Sequence, residues 1–254
     1  MLWRNWLDAT RISELPVDCR PLDRPDGYAV QRALSSLAGQ PTVGWKIAAT
    51  SLAGQAHIGV DGPIAGCLFA DRVLNQDGGV LEVSLNGNHM RLAEAEFGFR
   101  LGRDLPKRDR AYEMDEVLDA VDALHPTIEL PDTRYEAVGA VGAAQLIADA
   151  ACAWLLIVGA AAPGAWRALD LARHTVAAFR NGGAAATGSG ANVLGDPRIA
   201  LVWLANELRV HGDGLRAGEI VTTGTCIAPV PLSPGDQFSA DFGLVGVMEI
   251  RIAP

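Results

Sequence analysis

The stretch MRLAEAEFGFRLG, residues 90–102, decides the fold class because polar and apolar residues alternate along its whole length. Such a period of two is typical of a β-strand that buries one face. The apolar face would carry Ala93, Ala95, Phe97 and Phe99. Glu94 and Glu96 therefore share the opposite face, with their backbone positions roughly 7 Å apart.

Outward from this strand, the sequence predicts both helices and further strands. Apolar residues at helical spacing, with helix-stopping glycines after the first and the last of them, predict three helices, over residues 28–39, 111–124 and 196–212. Strand-forming residues predict strands at 42–50 and 125–131, a hairpin that turns at Asn181-Gly182, and three strands between 219 and 252. The chain is thus predicted to be α+β, with a small N-terminal α/β domain over residues 1–75 and a β-rich domain over residues 76–254.

Composition limits the function classes. The chain has 254 residues, is 49% hydrophobic and carries a net charge of −9, so it can bury a large core and shows none of the basic excess of a nucleic-acid binder. Its four cysteines form no C-x-x-C pair, which favours reduced thiols and a cytoplasmic location. The most apolar segment, residues 150–166, is short and is broken by Pro163 and Gly164, and we expect it to be core and not a membrane span.

Three carboxylates are the sharpest chemical feature. Glu129 lies in the apolar strand segment HPTIELP, residues 125–131, and joins Glu94 and Glu96 as a residue that a strand aims at one face. Oxygen ligands of this kind suit Mg²⁺ or Mn²⁺, whereas no His/Cys set has zinc spacing. Spacing alone leaves a second interpretation open, in which these glutamates lie on the exposed faces of edge strands.

An ordered set of longer motifs points to a family. They are GWKIAATS (44–51), GCLFAD (66–71), AEAEFGFRLGRDLP (93–106), IELPDTRY (128–135), ADAACAWLLIVG (148–159), GSGANVLGDPRIALVWLANEL (188–208), LRAGEIVTTGT (215–225) and PGDQFSADFGLVGVMEI (234–250). In these motifs the chain resembles the 2-keto-4-pentenoate hydratase and 4-oxalocrotonate decarboxylase family, a branch of the fumarylacetoacetate hydrolase superfamily. The resemblance implies a C-terminal domain of rolled mixed β-sheets that holds the active site, and a homo-oligomer.

The resemblance also implies roles for individual residues. Glu94, Glu96 and Glu129 match the family's metal ligands, and Lys46 in GWKI matches its active-site lysine. Asp71 matches an acidic residue near the substrate. Cys152 falls where relatives often have a serine, and because a thiol is a weaker hydrogen-bond donor than a hydroxyl, the substrate or the water would be held differently. Arg134, after the third glutamate, is expected to brace its loop.

The expected activity is metal-dependent hydration of 2-hydroxypenta-2,4-dienoate (2-keto-4-pentenoate) or a close homologue in aromatic-compound catabolism. A small 2-oxo acid can chelate one metal ion, which acts as a Lewis acid while a proton moves. Decarboxylation of a 4-oxalocrotonate-type acid would use the same site and is the main alternative. A C–C hydrolase of acylpyruvates is disfavoured because TTGTCIAP, residues 222–229, lacks the GTPxGVG continuation usual in that branch. A catalytically silent binding or partner subunit is the third alternative, which Cys152 keeps open.

Overall fold

The computed structural model describes all residues, 1–254, as six helices and fifteen strands. The helices are α1 (Leu2–Asp8), α2 (Arg24–Ala38), α3 (Leu52–Ile58), α4 (Met114–Ala120), α5 (Gly142–Ala148) and α6 (Pro197–His211). The strands are β1 (Thr42–Ala48), β2 (Ile64–Phe69), β3 (Val73–Asn75), β4 (Leu81–Val83), β5 (Leu92–Leu101), β6 (Leu105–Pro106), β7 (Val121–Leu130), β8 (Leu155–Val158), β9 (Thr175–Arg180), β10 (Gly183–Ser189), β11 (Gly214–Leu215), β12 (Ile220–Thr225), β13 (Val230–Pro231), β14 (Gln237–Asp241) and β15 (Val247–Ile252). None of the helices combines the length and the hydropathy that a membrane-spanning helix needs.

Two larger sheets dominate the structure, and the predicted α+β class is confirmed. The main sheet has the order β2-β1-β12-β5-β7-β8-β3, with β13 added to β5, and it curls into a half-barrel. It is mixed, since β1–β12 and β3–β8 are parallel and the other pairs are antiparallel. The second sheet has the order β10-β9-β14-β15-β4. The main sheet includes strands from both sides of residue 75, and the division into domains 1–75 and 76–254 stays a prediction.

The alternation along β5 sets which face of the main sheet is core. Ala93, Ala95, Phe97 and Phe99 are fully buried, as predicted. Phe97 packs edge-on against Phe242, which follows β14 of the second sheet, with ring centroids 5.5 Å apart. The core therefore lies between the two sheets, and the other face of β5, which carries Glu94 and Glu96, is free to form a site.

The predicted hairpin and the last helix are confirmed. Asn181 and Gly182 connect β9 to β10 with φ angles of 52° and 78°, the left-handed conformation that a tight two-residue turn requires. Asp196 caps α6, and its side chain accepts a hydrogen bond from the backbone N–H of Arg198 at 2.8 Å.

The helix predicted over residues 111–124 is only partly correct. It begins with a capping box between Glu113 and Glu116, but it ends at Ala120. The next residue, Val121, is extended and starts β7, where Ala123 pairs with Arg100 of β5. Pairing with β5 overrides the helical spacing of residues 121–124, because these residues continue the strand that the strand-forming residues after them also form. The tail likewise has four strands and not three.

Candidate metal centre

Two central strands of the main sheet bring the three carboxylates together. Glu94 on β5 lies directly opposite Glu129 on β7, and Glu96 follows two residues later on the same face. Carboxylate oxygens of all three lie within 4.8 Å of one another. Glu96 and Glu129 are 1% and 0% exposed, and both strands are internal to the sheet. The interpretation as exposed faces of edge strands is therefore wrong.

The carboxylate of Glu129 has room for a cation. Neither of its oxygens accepts a hydrogen bond, although Oε1 lies 3.2 Å from Nζ of Lys46 on β1. Both side chains are almost fully buried. Because buried carboxylate oxygens are normally satisfied, this arrangement fits a positively charged ligand at the free oxygen positions.

The carboxylate of Glu96 is instead held in place by β12. Thr222 Oγ1 and the backbone N–H of Gly224 both donate to Oε2, the latter at 2.8 Å. Thr222 Oγ1 also lies 3.1 Å from Oγ1 of Thr127. Sequence reasoning assigned no role to these residues, although the TTGT segment at 222–225 was part of the family motifs and is the signal that locates them.

Charge is not balanced in this centre. Burial, and next the charge of Glu129, raise the pKa of Glu94 to about 7. Burial also raises the pKa values of Glu96 and Glu129. Burial lowers the pKa of Lys46, but the carboxylates, Glu129 first, together outweigh it, so that the pKa is raised above its ordinary value. Three carboxylates thus face one ammonium group, and Mg²⁺ or Mn²⁺, both oxygen-seeking ions, would supply the missing positive charge.

Cys152 is brought close to this centre by a strained turn. The φ angles of Ala150, Ala151 and Cys152 are 51°, 49° and 64°, all left-handed. The turn packs against β2, where a Cβ on Gly66 would lie only 1.7 Å from the carbonyl oxygen of Ala150. Gly66 pairs with Lys46 across β1 and β2. Burial raises the pKa of Cys152 to about 12, although the charge of Lys46 opposes this, so the group is a thiol and not a thiolate.

A buried ion pair anchors the loop after Glu129, as predicted for Arg134. Arg134 Nε donates to Asp149, and Nη1 donates to the carbonyl oxygen of Ala153 at 3.1 Å. Asp149 also accepts from Thr133 Oγ1 at 2.7 Å and from the backbone N–H of Arg134 at 2.9 Å. These bonds hold the loop and the strained turn against each other.

Asp71 is not brought to the carboxylates. It lies beyond the end of β2, and its side chain is 50% exposed and 3.7 Å from Arg72 Nε. Gly66 is the β2 residue beside Lys46, so the strand runs away from the metal centre before Asp71 is reached. The geometry gives no supporting contact for its predicted place near the substrate, whereas Lys46 lies beside Glu129 and Cys152 lies near Lys46.

The curled mixed sheet and its acidic centre define a family. The chain belongs to the fumarylacetoacetate (FAA) hydrolase family, since the family model for the FAA hydrolase C-terminal region matches residues 66–253. It is 36% identical over 226 residues, 87% of this chain and 81% of the relative, to a 2-keto-4-pentenoate hydratase of Paraburkholderia xenovorans (strain LB400). It is 34% identical over 245 residues, 95% and 90% of the two chains, to a 4-oxalocrotonate decarboxylase of Pseudomonas sp. (strain CF600).

A solved structure supports the fold over nearly the whole chain. The 4-oxalocrotonate decarboxylase from Pseudomonas putida G7, complexed with magnesium and adipate, superposes with a TM-score of 0.86 at 29% identity. The match covers 99% of this chain and 94% of that one. The predicted FAA hydrolase-like fold of rolled mixed sheets is therefore confirmed.

Proposed function

We propose that this protein is a divalent-metal-dependent hydratase that acts on 2-hydroxypenta-2,4-dienoate or a close homologue. One observation carries the proposal: Glu94, Glu96 and Glu129 form a single acidic group beside the buried Lys46. The 36% identity to a 2-keto-4-pentenoate hydratase supports the choice of reaction.

The three glutamates would hold Mg²⁺ or Mn²⁺. When bound, the ion would supply a Lewis acid for the carboxylate and 2-oxo oxygens of the substrate. Glu96 is fixed by Thr222 and Gly224, so one ligand is pre-oriented. Glu94 is only partly buried, which puts the open side of the centre at this residue and gives the substrate a way in.

Lys46 and Cys152 would act on the organic substrate. Hydration first moves a proton from the 2-hydroxyl group to C5, which gives the 2-oxo-3-enoic acid, and water then adds its hydroxyl at C4 and its proton at C3. Lys46 is protonated and held by Glu129, so its Nζ is placed to stabilise negative charge on the substrate oxygens and to donate a proton. Cys152, a buried neutral thiol, would contact the substrate as a weak donor.

The test compares two glutamate substitutions in the purified full-length chain. Glu96→Gln and Glu129→Gln should abolish Mg²⁺-dependent loss of 2-hydroxypenta-2,4-dienoate, because each removes a negative ligand. Glu136→Gln is the matched control, since Glu136 is exposed and its side chain makes no hydrogen bond or ion pair in the protein. Unchanged turnover in both active-site variants would refute the proposal.

A second candidate reaction, decarboxylation of a 4-oxalocrotonate-type acid, is favoured by a different observation. The chain is 34% identical to a decarboxylase along 95% of its length and shares the fold of another over 99%. Measuring CO₂ release from 4-oxalocrotonate alongside hydration of the dienoate separates the two. CO₂ release without hydration would establish the decarboxylase, and an absence of turnover on both acids would leave a binding or partner subunit.

A further inference from the structure

A second cleft opens on the same face of the main sheet as Glu96, further along β5 and β7. We call it the far cleft. Its volume is about 370 Å³, and its polar lining includes Arg100 on β5 and His125 on β7. Arg100 lies four residues after Glu96 on β5, and His125 lies four residues before Glu129 on β7. Four residues span roughly 13 Å along a strand. Its apolar walls come from Val43, Val73, Val158 and Ile220.

His125 is the unusual residue of the far cleft. Its side chain is only 7% exposed, and Nδ1 lies 2.8 Å from the carbonyl oxygen of Gly159. A carbonyl oxygen only accepts, so Nδ1 must carry the proton and donate. In the neutral ring Nε2 is then an acceptor. Nε2 is buried and has no partner in the protein, and an unsatisfied buried acceptor is costly.

The remaining polar groups of the far cleft complete a recognition pattern. Arg100 uses only Nε within the protein, donating to Asp122 at 2.9 Å, so its two Nη groups are free to donate. The amide of Asn75 makes no hydrogen bond in the protein and adds a second polar contact at the rim. A fitting ligand therefore has a hydroxyl donor, a short apolar carbon chain and an anionic acceptor such as a carboxylate.

We propose that the far cleft is a second ligand site that binds a small hydroxycarboxylate. The ligand hydroxyl donates to Nε2 of His125, and the ligand carboxylate accepts from the Nη groups of Arg100. Burial lowers the pKa of His125, which keeps the ring neutral and Nε2 an acceptor. The product of the proposed hydration is itself a hydroxy acid. Binding of that product in the far cleft rests on the proposed function, whereas binding of small hydroxycarboxylates in general does not.

The far cleft is separate from the metal centre. Thr127 and Thr222 lie between them on the sheet face, and both are fully buried. Their Oγ1 atoms are 3.1 Å apart, so the two side chains are in contact on the sheet face between Glu96 and His125. None of the three glutamates lines the cleft. A ligand of four or five carbons therefore occupies one site or the other.

The ring nitrogens of the histidines report binding directly. The full-length chain, labelled with ¹⁵N in its histidines, is titrated with 4-hydroxybutanoate or with butanoate in the presence of EDTA. We expect 4-hydroxybutanoate to shift the Nε2 resonance of His125, assigned by its absence in His125→Phe. Butanoate should bind about tenfold more weakly, because it lacks the hydroxyl. Arg100→Met should weaken binding, and His57→Phe, at an exposed histidine, should not.

The outcomes separate this site from the metal centre. A shift that persists in EDTA and in Glu129→Gln supports the far cleft, even if the hydratase assay fails. An unmoved His125 resonance at saturating 4-hydroxybutanoate overturns the proposal, as does equal affinity for butanoate. Binding that is lost with EDTA or in Glu129→Gln also overturns it, because the ligand would then occupy the metal centre. If His125→Phe does not fold, single substitutions of the other four histidines assign the His125 resonance by elimination, and the wild-type titration is read from that assignment.

Discussion

Replacing Lys46 with methionine removes the only ammonium group of the metal centre and leaves three buried carboxylates together. Methionine keeps much of the volume of the lysine side chain, so packing changes little. We expect the metal-free variant to be markedly less stable than the wild type, and we expect Mg²⁺ to reduce the difference because it supplies the charge that the lysine supplied.

The magnitude follows from the geometry of one ion pair. Nζ of Lys46 lies 3.2 Å from Oε1 of Glu129, and the two side chains are 3% and 0% exposed. At an effective dielectric constant of about 20, such a pair attracts by about 5 kcal/mol. Breaking a buried pair on one side costs about 3–5 kcal/mol. For a chain of this size that loss lowers the melting temperature by roughly 10 °C.

The stability that Lys46→Met loses in the absence of metal should grow as the pH rises. The raised pKa of Lys46 keeps it charged well above neutrality, so its stabilising contribution is present up to its ordinary value of 10.5 and is lost only above that. The pKa of Glu94 is raised from 4.5 to about 7, so the folded state binds more protons and stability falls as pH rises through that window. Without Lys46 the carboxyl pKa values rise further, and the window extends to higher pH.

Thermal unfolding with and without Mg²⁺, at about pH 6 and about pH 8.5, measures these effects. Lys107→Met is the matched control, because Lys107 is the only other lysine in the chain and is exposed. Equal melting temperatures for Lys46→Met and Lys107→Met in EDTA at the higher pH would refute the electrostatic account. A deficit that Mg²⁺ enlarges would refute the idea that the ion and the ammonium group compensate the same charge.

Three further predictions concern other parts of the structure. Gly66→Ala should lower the free energy of unfolding by more than about 3 kcal/mol, because its Cβ would lie 1.7 Å from the Ala150 carbonyl oxygen. A denaturation midpoint equal to that of the wild type would contradict this. A thiol reagent should modify Cys19 alone of the four cysteines in the native chain, and rapid labelling of two would be contrary evidence. Hydrogen bonding to Arg108 lowers the pKa of Glu116 to about 2, so stability present above pH 4.5 falls as pH drops towards 2, and Glu116→Gln should flatten this in acid denaturation.

Local patterns predicted much of the fold. The period-two alternation identified β5 and its buried face, and the Asn-Gly dipeptide identified the β9–β10 turn. The helix predicted over 111–124 failed at its C-terminal end because spacing does not reveal that residues 121–124 have a strand partner in β5. Pairing between distant segments is set by the whole sheet and not by the local sequence.

Local sequence patterns could not predict that the residues of the metal centre meet in one place. Spacing placed Glu94 and Glu96 on one face, but the register that sets Glu129 opposite Glu94 joins strands that are far apart in the chain. The contact of Lys46 with Glu129 is harder still to predict, because β12 and β5 lie between the strand of Lys46 and β7. On a flat sheet those strands would be roughly 14 Å apart. Curling of the sheet shortens that span to an ion pair, and only the family resemblance pointed to Lys46 beforehand.

The inner charges of the site argue for ligand binding over structural stabilisation. A buried ion cluster that only supports a fold would be balanced, as Arg134 and Asp149 are, with their polar atoms used in mutual and backbone hydrogen bonds. Around Lys46 the carboxylates exceed the cations, and neither oxygen of Glu129 accepts a hydrogen bond although one lies 3.2 Å from Nζ of Lys46. Such an arrangement lowers the stability of the metal-free chain, and a bound cation is the simplest physical means of offsetting that cost.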